Sequence, residues 1–327
     1  MPVTLNDAKQ LSQDKLTDQV IDEFRQSPLL NALPFDNTVK PQGGRSLTYS
    51  YNRITTQPSA GSRALNSEYT PQETKTTKVN VDLKVFGGSY EVDRVIAQDE
   101  TQVVNHVEFQ SRQKAKATIA VFHDQFINGD SEGDDPNSFD GIDKAVTGTS
   151  TELIPSTPID LSSAEAINQN YRKFLYWVRK MVGRMDGAAT HFLMNNDLYT
   201  AFQAVADHVP NIRYDRDELG NEVIRYGNAV FVDMGDKPGT TSPVIPTAED
   251  GTTTLYAIRV GEDGVHGVSP DGSKLVNVYL PDMGTSGAVK KGEVEMVAAV
   301  AVKSTKAVAA LRNIKVVDTS ESESEGE

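Results

Sequence analysis

Leu47-Thr-Tyr-Ser-Tyr-Asn52 and Val79-Asn-Val-Asp-Leu-Lys-Val85 decide the fold. In the first stretch Leu47, Tyr49 and Tyr51 alternate with Thr48, Ser50 and Asn52. In the second, Val79, Val81, Leu83 and Val85 alternate with Asn80, Asp82 and Lys84. Such alternation sends successive side chains to opposite faces, so both stretches are strands. With the polar chain around them, between Pro34 and Val95, they read as the arms of one extended β-ribbon. The segment between them, residues 55–76, holds almost nothing apolar beyond Leu65 and Tyr69. A two-stranded ribbon is marginal in water, and this one has too few apolar residues to pack on itself. Its order has to come from another surface, most simply a neighbouring copy, which points to a lattice-building protein. Gly87-Gly88 is expected to close the ribbon as a bulge or bend, with residues 89–92 continuing as strand.

Charge sharpens this reading. The chain of 327 residues carries a formal net charge of -14, which argues against broad nucleic-acid binding, because that needs clustered cations. Residues 40–90, however, hold seven Lys/Arg against three acids, a net of +4. The ribbon is the basic part of an acidic protein and suits docking on an acidic patch of another copy. The expected inter-subunit contact residues are Arg45, Arg53, Arg63, Glu68, Tyr69, Lys75 and Lys78. A solvated hairpin with incidental charge is the plainer alternative.

Hydrophobic content of 38% and charged content of 24% are globular values, and the length suits about two domains. The absence of cysteine excludes disulfides and thiolate metal sites and fits a reducing compartment. The opening residues show no basic-then-apolar export pattern. The longest apolar run, residues 296–302, is seven residues long, far below the ~20 that span a bilayer. A soluble protein without membrane contact is expected.

Outward from the ribbon, residues 5–26 carry an amphipathic helical pattern that stops at Ser27-Pro28; so short an element ahead of the ribbon reads as a docking arm. After the ribbon, Val104, Val107, Ser111, Ala115, Ile119, Phe122 and Phe126 form one continuous stripe. They predict a helix over 103–128, about 39 Å long, ended by Gly129. Residues 130–138 form an acidic loop, and Pro155 and Pro158 mark a linker. Ser162-Ser-Ala-Glu165 is a capping-box pattern opening a helix with the stripe Ile167, Tyr171, Phe174, Val178, Met181 and Met185. A short helix over 197–208 follows, and then strands near 229–234, 255–260 and 275–280 with a turn at Glu218-Leu-Gly-Asn221. Residues 294–302 and 307–317 read as two buried strands. From Asp318 the chain holds five acids and no apolar residue, and is expected to remain disordered.

No catalytic constellation emerges, and no cofactor is implied. Asp130, Glu132 and Asp134 occupy the first alternate positions of a calcium loop, but Asp135 stands where glycine is needed and Gly141 where a bidentate Glu is needed. Gly267-Val-Ser-Pro-Asp271 lacks the second glycine of a nucleophile elbow and reads as a Ser-Pro-Asp-Gly turn. His106, His123, His191, His208 and His266 are scattered, and Trp177 reads as packing. Nothing here suggests an enzyme.

The order of elements resembles the major capsid proteins of tailed bacteriophages, the Hong Kong 97-like fold, over residues 5–317. Local strings look familiar as well: Phe139-Asp-Gly-Ile142, Met194-Asn-Asn196 and Tyr226-Gly-Asn-Ala229. The resemblance implies an α+β chain with an N-terminal arm (1–33), an extended β-hairpin loop (34–88) and a peripheral domain with its spine helix (89–149 and 291–317). It further implies an axial domain (150–290) and an acidic tail (318–327). It implies hexamers and pentamers in an icosahedral head shell around phage double-stranded DNA, held without sequence-specific contacts. The implied partners are a separate scaffolding protein, since only about 33 residues precede the ribbon, and portal and head-completion or decoration proteins. The virion is the implied location, with assembly in the host cytoplasm. Some members crosslink a Lys to an Asn; Lys75 or Lys78 with Asn313 would be the pair here, though no residue pattern supports it. An encapsulin-like compartment of the same fold and a monomeric binding or enzymatic domain are the alternatives.

Overall fold

The computed structural model describes residues 28–39, 44–56, 58–94, 103–133, 135–209, 212–216, 222–237, 239–272 and 275–318. The arm helix expected over 5–26, the turn at 218–221 and the acidic tail beyond Asp318 lie outside the described residues. The chain is α+β. It opens with α1 (Pro28–Ala32), β1 (Phe35–Asn37), β2 (Thr48–Thr56), β3 (Lys75–Asp82) and β4 (Lys84–Asp93). There follow α2 (Val103–Asn128), α3 (Ile142–Val146), β5 (Glu152–Leu153), β6 (Ile159–Asp160) and α4 (Ala164–Val182). Next come β7 (His191–Met194), α5 (Asn196–Ala206), β8 (Ile212–Arg216), β9 (Glu222–Tyr226) and β10 (Ala229–Asp233). The last strands are β11 (Thr252–Ile258), β12 (Val265–Ser269), β13 (Val276–Tyr279), β14 (Val289–Val302) and β15 (Val308–Lys315).

The long helix runs where the stripe puts it. Ser111, Ala115, Ile119, Phe122 and Phe126 are buried, and each fully buried phenylalanine contributes about 2–3 kcal/mol relative to exposure. Phe122 sits among the rings of Phe35, Phe86, Phe126 and Phe139 at centroid distances of 5.7–6.2 Å. The polar member of the stripe, Ser111, is satisfied by the Tyr90 hydroxyl at 2.6 Å. A Cβ on Gly292 would overlap the Tyr90 ring, so glycine leaves room for that ring between β14 and the helix. Gly129 ends the helix by close approach rather than by a left-handed backbone: a Cβ there would strike the carbonyls of Phe139 and Gln125.

β14 organises a five-stranded sheet, pairing antiparallel with β4, β12 and β13, while β1 adds in parallel to β12. The second sheet has eight strands, in the order β5-β15-β11-β7-β10-β9-β8 with β6 also on β15. Its central strands β15, β11, β7 and β10 are largely buried on both faces, and alternation along them feeds two cores. Leu193, Tyr256, Ile258, Val308 and Ala310 join the core of the long helix. Phe192, Met194, Leu255, Ala257, Ala309 and Leu311 join a second core under α4 and α5. Two-sided burial explains the nearly unbroken apolar runs of these strands.

Four sequence-based expectations are corrected. Gly87 and Gly88 are not a bulge: β4 keeps unbroken register with β14 from Lys84 to Asp93. Glycine is needed at 87 because a Cβ would run into the Val294 carbonyl across the ladder. The ribbon is shorter than 34–88; Phe35–Asn37 pairs with β12, and the ribbon proper is β2 with β3. The capping box does not form as Ser162 with Glu165: the N-cap is Ser163, whose hydroxyl accepts from Ala166 N, while Ser162 donates to Asp160. Finally, the sheets do not part at residue 290. β12 and β13 join β14, and β15 runs inside the eight-stranded sheet, because strand periodicity states a strand's faces and not its partner.

Candidate subunit-contact surface

The ribbon has a rooted half and a free half. In β2 and β3, Tyr49 pairs with Val81 and Tyr51 with Val79, and Tyr49, Tyr51 and Val81 lean on the body's core. The opposite side carries hydrogen bonds from Thr48 to Asp82 and from Ser50 to Asn80. At the root, the Tyr49 hydroxyl donates to Asp36 at 2.8 Å and the Tyr51 hydroxyl to the Val302 carbonyl at 2.7 Å. Arg53 donates Nε to the Lys303 carbonyl at 3.0 Å and Nη2 to the Val302 carbonyl at 2.6 Å. Burial, then the Asp36 carboxylate, raise the Tyr49 phenol; burial raises that of Tyr51. His266 lies beneath Tyr49, ring centroids 5.7 Å apart. It is buried, with no hydrogen-bond partner on either ring nitrogen among the described residues, and burial pushes its pKa down to about 4.

Beyond the root, every described residue from 54 to 78 is exposed. Ile54 is 63% exposed, Tyr69 65% and Leu65 94%. The tip holds its shape by local contacts. Arg63 donates to the carbonyls of Ala64 and Ser67 and lies 5.4 Å from the Tyr69 ring centre. Ser59 donates to Gln72 across the hairpin, and Asn66 takes a left-handed φ of 66° at the turn, which asparagine tolerates. None of these contacts covers Leu65 or the outward face of Tyr69.

The seven residues singled out from sequence therefore divide. Arg45 is paired with Asp271 at 2.5 Å, and Arg53 is spent on its own root. Arg63, Glu68, Tyr69, Lys75 and Lys78 are all on the free half, and Glu68, Lys75 and Lys78 make no ion pair among the described residues. Asn313 takes a left-handed φ of 63° and donates its side chain to the Pro155 carbonyl at 2.9 Å.

A second surface was not anticipated from sequence. The face of the five-stranded sheet turned away from the long helix presents, in cross-strand register, Val85 with Val297 and Gly87 with Glu295 and Asn277. It continues as Ser89 with Glu293 and Tyr279, Glu91 with Lys291, and Asp93 with Val289. Val85, Tyr279 and Val289 are each more than half exposed. Four acids stand against one base on this face. Its signal lay in the alternation of β4 and β14, whose outward members mix acids with valines.

The acidic loop after the long helix holds a cation of its own chain. Lys144 Nζ lies 2.6 Å from Asp130, 3.0 Å from Asp140 and 3.3 Å from Glu132. Among the described residues, no group of three or more His, Asp or Glu side chains is placed to hold a metal ion. Asp134 lies outside them. Among the described residues, no helix is long and apolar enough to cross a membrane.

By sequence, the chain matches no protein-family model and no curated protein. Its fold has clear counterparts among solved structures. It is similar to the holo-SrpI encapsulin of Synechococcus elongatus PCC 7942, at 16% identity and TM-score 0.53 with 89% of each chain covered. It is similar to the capsid of Myoviridae phage XM1, at 14% identity and TM-score 0.50, covering 85% of this chain and 90% of that one. It is also similar to a virus-like particle from Pyrococcus furiosus, at 11% identity and TM-score 0.51, covering 92% and 98%. The likeness extends over 85–92% of this chain, and by it the chain has the Hong Kong 97-like fold.

Proposed function

We propose that this protein is a shell-building subunit, the major capsid protein of a tailed phage, working by geometry rather than catalysis. The observation that carries the reading is the free half of the ribbon. Some twenty described residues, including Ile54, Leu65 and Tyr69, stand in water with no surface of their own chain to cover them. In the assembled shell the tip lies across a neighbouring copy, with Arg63, Lys75 and Lys78 meeting the acids of the uncovered sheet face and Leu65 and Tyr69 meeting its valines. Each such contact is weak; closure of many copies into hexamers and pentamers makes the sum strong. The long helix and five-stranded sheet form the peripheral part of the subunit and the eight-stranded sheet with α4 and α5 the axial part. The shell encloses double-stranded DNA in the virion and is built with a separate scaffold, a portal and head-completion or decoration proteins. The similarity to an encapsulin favours one other reading, a compartment around a protein cargo.

Removing residues 55–76 tests the reading. The expected result is a folded subunit that forms no closed particles by negative-stain microscopy, while the intact chain with its scaffold does. Normal particles from the deletion overturn the ribbon's role. Nucleic acid inside purified particles supports the capsid; a copurified protein cargo supports the compartment.

A further inference from the structure

The outer face of α4, like the ribbon, runs against the net charge of the molecule. Between residues 166 and 185 the chain has five bases, Arg172, Lys173, Arg179, Lys180 and Arg184, and no acid. None of the five makes an ion pair among the described residues. Their hydrogen bonds go to neutral atoms: Arg172 to the Tyr171 hydroxyl, Lys173 to Thr157 and the Pro158 carbonyl, Arg179 to the Tyr226 hydroxyl, and Arg184 to the Ser150 carbonyl. Lys180 stands 4.3 Å over the Trp177 ring, and Tyr176 is 60% exposed beside it. The buried side of the helix, from Ile167 to Met181, fully accounts for its docking on the sheet. The basic side adds to that docking only the neutral hydrogen bonds just named, and its five cations have no ion pair among the described residues of a chain of net charge -14.

From these features we infer that the outer face of α4 binds the phosphate backbone of nucleic acid without regard to sequence. Arg172 and Lys180 are two turns apart, about 12 Å along the axis, so the cations follow a strand over several phosphates. The exposed Tyr176 offers a stacking surface for an unpaired base. Glu165, near the helix start, and Asp186, just beyond Arg184, flank the patch in sequence and set its ends. The net acidity of the whole protein does not oppose this, because screening at physiological salt confines each charge's influence to about 8 Å. The inference is independent of the shell reading, since binding is measured on the full chain whether or not particles form.

The test is fluorescence anisotropy of a labelled oligodeoxythymidylate with the full chain across a salt series. Five phosphate contacts give a slope of log K against log salt of about -3.5 on a single strand. The triple variant R172Q/K173Q/K180Q, which spares Arg179 and Arg184, is expected to reduce that slope to about -1.4. Y176A is expected to weaken binding about tenfold with the slope kept. Both variants should retain the thermal midpoint of the intact chain; if the triple variant unfolds, Y176A decides alone. An unchanged slope in the triple variant, no effect of Y176A, or no binding at low salt overturns the inference. Displacement of the oligonucleotide by polyglutamate at equal charge also overturns it, and assigns the face to acidic protein segments.

Discussion

Acidification should loosen the ribbon's root through one side chain, His266. Its ring is buried under Tyr49, both nitrogens lack hydrogen-bond partners among the described residues, and its pKa is pushed down to about 4 from an ordinary 6.5. Burial is the main cause, and the Lys303 ammonium adds to it. Asp36 from β1 and Asp263 from the loop before β12 pull the other way without prevailing. Because the folded pKa is depressed, the unfolded chain takes up the proton first. Stability is unaffected above pH 6.5 and is lost progressively as the pH falls from 6.5 towards 4. At pH 5.5, above the sequence pI of about 4.9, the loss from this group is about 1.4 kcal/mol. The comparison that isolates it is His266→Leu against the intact chain, by urea unfolding followed through intrinsic fluorescence. At pH 7.5 the two should differ by less than about 1 kcal/mol, since an apolar replacement leaves no polar atom unpaired. Between pH 7.5 and 5.5 the variant should gain about 1.4 kcal/mol relative to the intact chain. His123, also held near 4 by burial, is present in both proteins and cancels. A difference that stays constant over this range refutes the argument.

Arg312 offers a second test. It donates to Glu152 at 2.6 Å and to Asp143 at 2.7 Å, and Tyr256 donates to the same Asp143 oxygen. Arg312→Met leaves the carboxylates of Asp143 on α3 and Glu152 on β5 without their shared cation, so a loss of about 3 kcal/mol is expected in chemical denaturation; a loss under 1 kcal/mol would show the network to be idle. Gly87→Val must push β4 off β14, so thermal unfolding should show a loss above about 2 kcal/mol, whereas Gly61→Ala, with open space around it, should be silent. Phe122→Ala empties the centre of five rings and should cost about 4 kcal/mol; an unchanged midpoint would mean that the cluster repacks.

The elements with strong periodicity were legible without coordinates. The stripe from Val104 to Phe126 gave the long helix its observed bounds, and alternation of Tyr49 and Tyr51 against Ser50 located the ribbon. Partners were not legible. Arg53 bonds to carbonyls some 250 positions away, whereas a count of cations alone assigns its charge to a neighbouring molecule. Gly87-Gly88 looked like a bend because composition does not distinguish a glycine that turns from one that lets another strand approach. β12 was hidden in Gly267-Val-Ser-Pro-Asp, where a turn reading was right from Ser269 onward and missed the strand before it. The basic face of α4 is legible as well: five bases without an acid between residues 166 and 185 of an acidic chain are visible in the letters alone.

Only residues 303–307 separate β14, in one sheet, from β15, in the other. The ribbon is tied to the start of that seam, through the carbonyls of Val302, the last residue of β14, and Lys303, the first residue beyond it. Seen mechanically, the hairpin is a pointer mounted on the joint. From Arg53 to the turn at Leu65 it extends at most about 40 Å, so a rocking of the two sheets by about 5° would swing its end by some 3–4 Å, roughly the spacing of one residue along a strand. A small change of angle within one molecule is thereby felt as a full step of register by whatever the pointer touches.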